Sequence, residues 1–385
     1  MEKLIILCPP GAFSKRDYDR FGIEFLKKNF SLKILNFTAW IYPELLKDKS
    51  NITYQCEEHI SISCKDDFLA FDTEKDSLIV LDCFGQSKKI NWVREQLRKR
   101  NSFFVSPDLN LLPLTKKNIF HFLRYLINFN VPPKKIFKFF QKRYYNLKKA
   151  QLPDILFAGG LASSKNSRIK EKISGHSMDY DVYLKLKDKP ENKTANYAVF
   201  LDEDLVSHPD YIFNIDFGPP LSQFQYYSIL LKFLKKFEME TNLKVKFAIH
   251  PKSRNNNLKN LLQDFDYSIG DTAELVKNSN VVLLHASTSI SYAILFKKPA
   301  IFLTSQKLKK SWIGPRINYL AKIINSKVLN MDDDLNNSLN PQLLLKIDEH
   351  KYKNYLDQYL KTPNSPDLPL WEIFTKYIKS KQFVK

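Results

Sequence analysis

The feature that most constrains the fold of this chain is the regular alternation of short apolar runs with segments of helical spacing. Runs such as Lys3–Cys8 and Ser77–Asp82 have the composition of buried strands, and helical patterns such as Lys89–Arg100 lie between them. This order is typical of a parallel sheet covered by helices. A chain of 385 residues is too long for one ordinary domain, so the alternation predicts an α/β protein with two such sheets.

A polar, irregular stretch divides the alternation into two series. The segment Lys185–Thr194 has the composition of an interdomain linker, and the second series begins with the strand pattern Tyr197–Leu201. We therefore expect a Rossmann-like N-terminal domain over residues 1–190, a Rossmann-like C-terminal domain over 195–340, and C-terminal helices over 341–385. Ligands of open parallel sheets bind beyond the carboxyl ends of the strands, so a central cleft that both domains face is the expected site.

Polar side chains follow several strand and turn patterns of the second series. They comprise the acids Asp202, Glu203 and Asp204, the run His250-Pro251-Lys252-Ser253-Arg254, the acids Asp271 and Glu274, and the hydroxyl run Ser287-Thr288-Ser289. Because the carboxyl ends of parallel strands meet at one edge of a sheet, we expect these side chains to lie close together. Such a set suits a phosphorylated ligand.

The chemistry of these groups favours an anion site. The run Ser287-Thr288-Ser289 stands where a strand passes into a helix, and free N–H groups there attract anions; the alternative is helix capping alone. His250 can donate to a phosphate oxygen, or it is a buried histidine bonded to a carbonyl. Glu274 can accept from a ribose diol, or it acts only as a partner of the helix dipole.

The formal net charge of +19 restricts the expected partners. Residues 134–149 carry seven cations and no acid, with apolar residues three or four apart, and residues 371–385 show a weaker form of this pattern. These segments predict basic helices that either pack on the core or dock on an anionic inner-membrane surface. Nucleic acid is not an expected partner, because the chain shows no zinc-finger, RNA-binding aromatic or helix-turn-helix pattern.

The N-terminus and the cysteines indicate the compartment. The apolar run Leu4–Cys8 is shorter than the h-region of a signal peptide, and no window approaches the roughly 18 apolar residues of a transmembrane helix. The four cysteines form no metal-ligand pair, which favours free thiols in a reducing compartment. We therefore expect a cytoplasmic protein, or one peripheral on the inner face of the cytoplasmic membrane.

On these residues the chain resembles a known group of enzymes. Its layout is similar to that of GT-B glycosyltransferases. Within about residues 195–305, an acid cluster, a His-Pro strand end and a hydroxyl pair resemble the motifs of bacterial sialyltransferases and polysialyltransferases. The resemblance implies that His250-Pro251 serves the phosphate of CMP, that Ser287-Thr288 or Thr288-Ser289 holds that phosphate, and that Glu274 holds the cytidine ribose. It also implies that the N-terminal domain binds the acceptor and the C-terminal domain the nucleotide-sugar.

The general base of that group is an acid in an Asp/Glu-Asp/Glu-Gly motif of the first domain. Here the cluster at Asp202 and Glu203 lacks the glycine and opens the second series, so Asp179 and Asp181 are further candidates. Cations at positions 252 and 254 would stabilise a leaving phosphate. With a monophosphate leaving group, histidine and hydroxyl donors replace a divalent metal, so neither a metal nor a cofactor is expected.

The resemblance implies an inverting glycosyltransferase. It would move a nonulosonic acid of sialic, legionaminic, pseudaminic or Kdo type from its CMP-activated donor to an acceptor glycan, free or lipid-linked, in bacterial surface polysaccharide or glycoconjugate synthesis. The alternatives on the same fold are a CDP-glycerol-type phosphotransferase and a UDP-sugar transferase or epimerase. A non-enzymatic basic scaffold or a nucleic-acid-binding protein is the remaining alternative.

Overall fold

A computed structural model of the protein gives its fold. It describes residues 1–46, 53–71, 78–85, 87–113, 152–165, 168–192, 195–207, 218–251, 253, 258–262, 264–333 and 346–381. The chain separates into two compact units. Unit 1 is formed from residues 1–111, 136–178 and 361–385, and unit 2 from residues 112–135 and 179–360.

Unit 1 contains a parallel sheet in the order β3-β2-β1-β4-β5-β6-β7. Its described strands are β1 Lys3–Leu7, β2 Ser31–Asn36, β3 His59–Ser61, β4 Leu78–Asp82, β5 Phe103–Asp108, β6 Ile155–Ala158 and β7 Glu171–Ser174. The helices between them are α1 Lys15–Arg20, α2 Ile23–Asn29, α3 Thr38–Ile41, α4 Lys65–Ala70, α5 Lys88–Arg98 and α6 Leu161–Lys165, with a 3₁₀ turn at Pro43–Leu46.

Both faces of the unit 1 sheet are covered. Leu4 and Ile6 of β1 belong to one buried cluster, whereas Ile5 and Leu7 belong to another. Successive side chains of a strand point to opposite faces, so a strand buried on both faces must be apolar throughout. This explains why the strands of this chain read as continuous apolar runs instead of alternating ones.

Unit 2 contains a second parallel sheet, in the order β10-β9-β8-β11-β12-β13. Its described strands are β8 Tyr197–Leu201, β9 Lys244–Ile249, β10 Asp266–Ile269, β11 Val281–Leu284, β12 Ala300–Thr304 and β13 Val328–Asn330. Its helices are α7 Met178–Leu186, which starts one residue before the unit, α8 Gln223–Thr241, α9 Leu258–Leu261, α10 Thr272–Asn278, α11 Ile290–Leu295, α12 Gln306–Lys310, α13 Gly314–Ile323 and α14 Glu349–Tyr355, followed by a π-helical turn at Leu356–Leu360. The predicted α/β class with two Rossmann-like sheets is confirmed.

The chain crosses between the units at points that differ from the boundaries expected from sequence. Helix α7, placed in the domain 1–190 from sequence, packs in unit 2, and the Lys277 ammonium donates to carbonyls at its end, on Leu186 and Lys189. The expected linker is therefore tied to unit 2 by these hydrogen bonds.

The predicted C-terminal segment 341–385 is divided between the units. Helix α14 lies in unit 2, whereas the last helix, α15 Leu370–Ser380, lies in unit 1. The return to unit 1 is fixed where Thr362 donates to the carbonyl of Gly175 and where His176 Nε2 lies 2.8 Å from the carbonyl oxygen of Leu368. His176 is thus a structural histidine inside unit 1.

Helix α15 buries its apolar face in unit 1. Trp371 is 3% exposed, its ring lies 5.8 Å from that of Phe21, and its Nε1 donates to the carbonyl of Arg20 at 2.7 Å. Gly22 has φ +56°, and a Cβ there would lie 2.5 Å from the Trp371 ring, so the position requires glycine. The apolar side of this weaker basic segment therefore packs on protein, in agreement with the packed-helix interpretation.

The stronger basic segment, residues 134–149, lies outside the described residues, so membrane docking through it stays a prediction. Within the described part of the chain, no helix is both long and apolar enough to cross a bilayer.

Replacing Trp371 by Ala tests the docking of α15. We expect a loss of about 3–5 kcal/mol in the free energy of unfolding, because a large buried ring and its hydrogen bond are removed. Lys376→Ala on the same helix is the control, since this side chain is 62% exposed and pairs with Glu372 on the helix surface; its effect should stay within about 0.5 kcal/mol. Urea denaturation followed by circular dichroism measures both. Equal stability of the two variants would show that α15 is not part of the core.

Candidate functional site

The order of strands in unit 2 brings two loops together at one edge of the sheet. Strand β8 pairs with β9 on one side and with β11 on the other, so the order of the strands reverses at β8. In open α/β sheets, ligands bind at such a switch point, beyond the carboxyl ends of the strands. The residues that follow β8, β9 and β11 are the acid cluster, His250, and the hydroxyl run, as the sequence predicts.

The acid cluster is buried rather than exposed at this edge. Asp202, Glu203 and Asp204 are 4%, 7% and 0% exposed. One Glu203 oxygen accepts the N–H of Ala286 at 2.7 Å, which joins the loop after β8 to the loop after β11. Asp204, whose φ is +50°, accepts from the N–H and the hydroxyl of Ser207. Glu203 and Asp204 therefore shape the two loops.

Asp202 uses one of its two carboxylate oxygens in a hydrogen bond to the described residues. Its Oδ1 accepts the N–H of Asp204 at 2.9 Å, whereas its Oδ2 is buried without a hydrogen-bond partner among the described residues. Burial raises the pKa of Asp202 to about 7, and the charges of Asp204 and Glu203 add to the rise. A buried acid with a free oxygen and a pKa near neutrality has the properties of a general base.

Asp204 also has an oxygen, Oδ2, that is buried without a partner among the described residues. Unsatisfied buried polar atoms are uncommon in proteins and often mark functional positions. Two such atoms in one loop at the switch point are therefore a reason to place chemistry there.

His250 follows β9, which lies beside β8 in the sheet. It is half-buried, and its carbonyl accepts the N–H of Ser253 at 2.8 Å, which closes a turn after Pro251. Pro251 is exposed. Residues 252 and 254, the two expected phosphate-binding cations, lie outside the described residues, so their roles stay predictions.

A second histidine at this edge, His285, has a structural role. It is fully buried, its Nδ1 donates to the carbonyl of Leu303 at 2.7 Å, and its Nε2 accepts the hydroxyl of Tyr226 at 3.1 Å. Burial lowers the pKa of His285 to about 4, so the ring is neutral near pH 7. No sequence signal identifies Tyr226 as its partner, because that residue lies inside helix α8.

The three hydroxyl residues Ser287, Thr288 and Ser289 have different environments. Ser287 is buried, and its Oγ accepts the N–H of Ser289 at 3.2 Å. Thr288 is exposed. Ser289 is the N-cap of α11, but its side chain does not cap the helix. No hydroxyl of this run caps α11, since the Ser287 bond closes a local turn, and a ligand contact through Thr288 stays a prediction.

The two acids of α7 lie inside unit 2. One oxygen of Asp179 accepts the hydroxyl of Ser291 at 2.6 Å, and the other accepts that of Tyr292 at 3.2 Å. Both partners are in the first turn of α11, so Asp179 positions that helix, and its oxygens are engaged. Asp181 is half-buried on the same helix. As a base candidate, Asp202 is favoured over Asp179 by this geometry.

Two acids expected to bind the nucleotide, Asp271 and Glu274, lie after strand β10. Asp271 is the N-cap of α10, yet its side chain accepts from the Ser268 hydroxyl at 2.6 Å instead of capping the helix. Glu274 is exposed in the first turn of α10. A ligand role for either acid stays a prediction.

Solved structures of known proteins are similar to this chain over nearly its whole length. A variant of the wall teichoic acid polymerase TagF with a histidine replaced by alanine is similar over 99% of this chain and 90% of its own, with a TM-score of 0.51 at 11% identity. Another TagF variant, with a histidine replaced by asparagine, has a TM-score of 0.50 at 13% identity over 99% of this chain and 88% of its own. The chain has a GT-B-like fold.

A more distant similarity joins the chain to the UDP-GlcNAc 2-epimerase of Methanocaldococcus jannaschii. The TM-score is 0.49 at 12% identity, over 98% of this chain and 99% of that one. No protein-family model matches the chain, and no curated protein matches its sequence. The similarities to the two TagF variants establish the fold and not the donor.

The raised pKa of Asp202 predicts a pH-dependent stability. The native state holds the Asp202 proton more tightly than the unfolded state does, so its contribution is fully present near pH 4 and is lost as the pH rises through about 7. Asp202→Asn removes this loss. At pH 8 we expect the variant to exceed the wild type in free energy of unfolding by on the order of a few kcal/mol, at about 1.4 kcal/mol per pKa unit, and therefore to melt at a higher temperature.

The stability advantage of Asp202→Asn over the wild type should shrink as the pH falls to 5. Calorimetry of both proteins between pH 5 and 8 measures this difference. The control is Glu240→Gln, an exposed acid near the end of α8, which should show no such dependence. If the wild type and Asp202→Asn keep a constant difference across this range, Asp202 has an ordinary pKa.

Proposed function

We propose that this protein is a transferase that moves a sugar or a glycerol-phosphate-type group from a nucleotide-activated donor to a glycan acceptor. The observation that carries the proposal is Asp202, a buried acid at the switch point of unit 2 with one unengaged oxygen. In the proposed reaction the Asp202 carboxylate takes the proton of the acceptor hydroxyl. The acceptor oxygen then forms its bond to the transferred group as the bond between that group and the nucleotide phosphate breaks.

His250 is proposed as the group that receives the leaving phosphate. His250 follows the carboxyl end of β9, and Asp202 follows the carboxyl end of β8, the neighbouring strand in the sheet. Thr288 is proposed as a second donor, because it is the exposed hydroxyl of the loop after β11. Glu203 and Asp179 are proposed as positioning residues, since their carboxylates hold this loop and helix α11.

For the donor, we propose a CDP- or UDP-activated group ahead of a CMP-activated nonulosonic acid. A polymerase of wall teichoic acid shares the fold at a TM-score of 0.51, which supports the CDP-glycerol-type alternative. The resemblance to sialyltransferases in the acid cluster, the His-Pro pair and the hydroxyl positions makes the CMP donor a second candidate. We also propose that the acceptor is lipid-linked and that the enzyme acts at the inner membrane surface. The basic segment 134–149 supports this part of the proposal.

Nucleotide binding tests the donor class directly. At 100 times its dissociation constant, the cognate nucleotide should stabilise the protein by roughly 2.7 kcal/mol. We expect CDP or UDP to raise the melting temperature, CMP to raise it less, and GDP to leave it unchanged. A larger shift with CMP than with either diphosphate would favour the nonulosonic acid donor, and no shift with any pyrimidine nucleotide would contradict the proposal.

Transfer by variants tests the roles of the side chains. Using the donor that the binding assay identifies, His250→Ala should lower turnover by roughly 100-fold or more, because a positioned donor or acid is lost. Asp202→Asn should keep nucleotide binding and lose transfer. His350→Ala is the matched control, since His350 is an exposed histidine of α14. Near-normal turnover of both site variants would remove them from the mechanism.

A further inference from the structure

A group of aromatic and lysine side chains stands at the carboxyl edge of the unit 1 sheet. Trp40 and Tyr42 follow β2, and Trp92 lies near the start of α5, which follows β4. All three rings are half-buried. We call these three rings, together with Lys65 and Lys89, the aromatic–lysine surface.

The rings of this surface are backed by a rigid layer. Trp92 lies 5.8 Å from Phe68, and Tyr42 stacks on Phe84 at 6.1 Å with an interplanar angle of 12°. Phe68 and Phe84 are buried and belong to the core of unit 1. The outer rings are therefore held in place from below, which removes much of the entropy cost of ordering them for a ligand.

The lysines are held against the rings. The Lys65 ammonium lies 4.9 Å from the centre of the Trp92 ring, and the Lys89 ammonium lies 5.6 Å from that of Trp40 and donates to the Trp40 carbonyl at 2.7 Å. Both lysines are exposed. Cation–π contacts at exposed sites contribute about 0.5–1 kcal/mol, so the cations are positioned and still accessible to an anion.

The charges near α5 are not arranged for helix stability. Lys88 and Lys89 occupy the first turn, where no acid is present. A cation there is unfavourable by about 0.3–1 kcal/mol, because the helix dipole is positive at that end. A bound anion would offset this cost.

Among the residues that the structure describes, no atom fills the edge beside the rings. Gly11, after β1, is bonded to the Thr38 hydroxyl at the start of α3, and a Cβ at Gly11 would meet no atom within 4 Å. The same holds for Gly85, after β4. Because β1 lies between β2 and β4 in the sheet, the two glycine loops leave room next to the aromatic–lysine surface.

We propose that the aromatic–lysine surface binds a saccharide chain that carries phosphate or carboxylate groups. Trp40 and Trp92 meet at 86°, so their rings form a corner. A corner fits a saturated sugar ring, whose C–H groups pack on an aromatic face, whereas successive nucleobases require ring faces along one strand. The lysines then pair with the anionic groups of the chain. This inference rests on the proposed function, because the bound saccharide chain would be the acceptor of the proposed transfer reaction.

The test measures binding without any nucleotide donor, so its result does not depend on whether transfer occurs. The probe is phosphorylated dextran at physiological salt, with neutral dextran and a single-stranded oligothymidylate for comparison. Tryptophan fluorescence reports binding, because Trp371 is buried and Trp312 lies in unit 2. We expect phosphorylated dextran to quench the fluorescence and neutral dextran to bind at least tenfold more weakly. Trp312→Phe should keep the quenching.

Two sets of variants make the inference falsifiable. The pair Lys65→Glu and Lys89→Glu changes only exposed side chains and should weaken binding at least tenfold. The matched pair Lys28→Glu and Lys33→Glu, also exposed in unit 1, should change it less than threefold. Equal losses in the two pairs would show attraction by net charge alone and overturn the proposal.

The rings are tested separately from the charges. Trp40→Ala should weaken binding at least tenfold, and Trp40→Phe, which keeps an aromatic face, should restore most of it. If Trp40→Ala binds the probe as tightly as the wild type does, the rings only cover the edge of the unit 1 core and do not bind the saccharide. Binding of the oligothymidylate as tight as that of phosphorylated dextran would identify a nucleic-acid surface instead.

Discussion

The hydrogen bond from the Ala286 N–H to the Glu203 carboxylate is the interaction on which the candidate site depends. It joins the loops that follow β8 and β11, the two strands between which the order of the unit 2 sheet reverses. Both groups are buried, so the bond is made away from water, and a carboxylate acceptor makes it stronger than a neutral bond. With this bond in place, Asp202 on one loop and Thr288 on the other have fixed positions at one edge.

The same burial creates the chemical asymmetry of the acid cluster. Three acids in succession cannot all be ionised in a buried loop without cost. Glu203 accepts the N–H of Ala286, and Asp204 accepts the N–H and the hydroxyl of Ser207. Asp202 accepts a single N–H, and burial raises its pKa to about 7. The acid that contributes least to the structure of the loops is thus the one that is available for proton transfer.

The sequence predicts the two sheets well because strands buried on both faces are apolar throughout, and such runs as Tyr197–Leu201 need no partner to be recognised. It also predicts that His250 and Ser287 follow strand ends. It cannot distinguish His250 from His285, because the difference lies in Tyr226 and Leu303, which are distant in the chain. For the same reason it leaves Asp179 equivalent to Asp202, although hydroxyls of α11 engage the first and not the second.

The sequence does not give the domain boundaries, because they depend on hydrogen bonds rather than on composition. The polar stretch near residue 185 looks like a linker, yet the Lys277 ammonium fixes it to unit 2. The last helix follows unit 2 in the sequence, and distant contacts such as the fit of Trp371 against Gly22 and Arg20 assign it to unit 1. Composition records how polar a segment is, whereas these assignments follow from which distant carbonyl or ring it meets. Unit 1 takes residues from both the beginning and the end of the sequence, so the chain must leave it and return before that unit is complete.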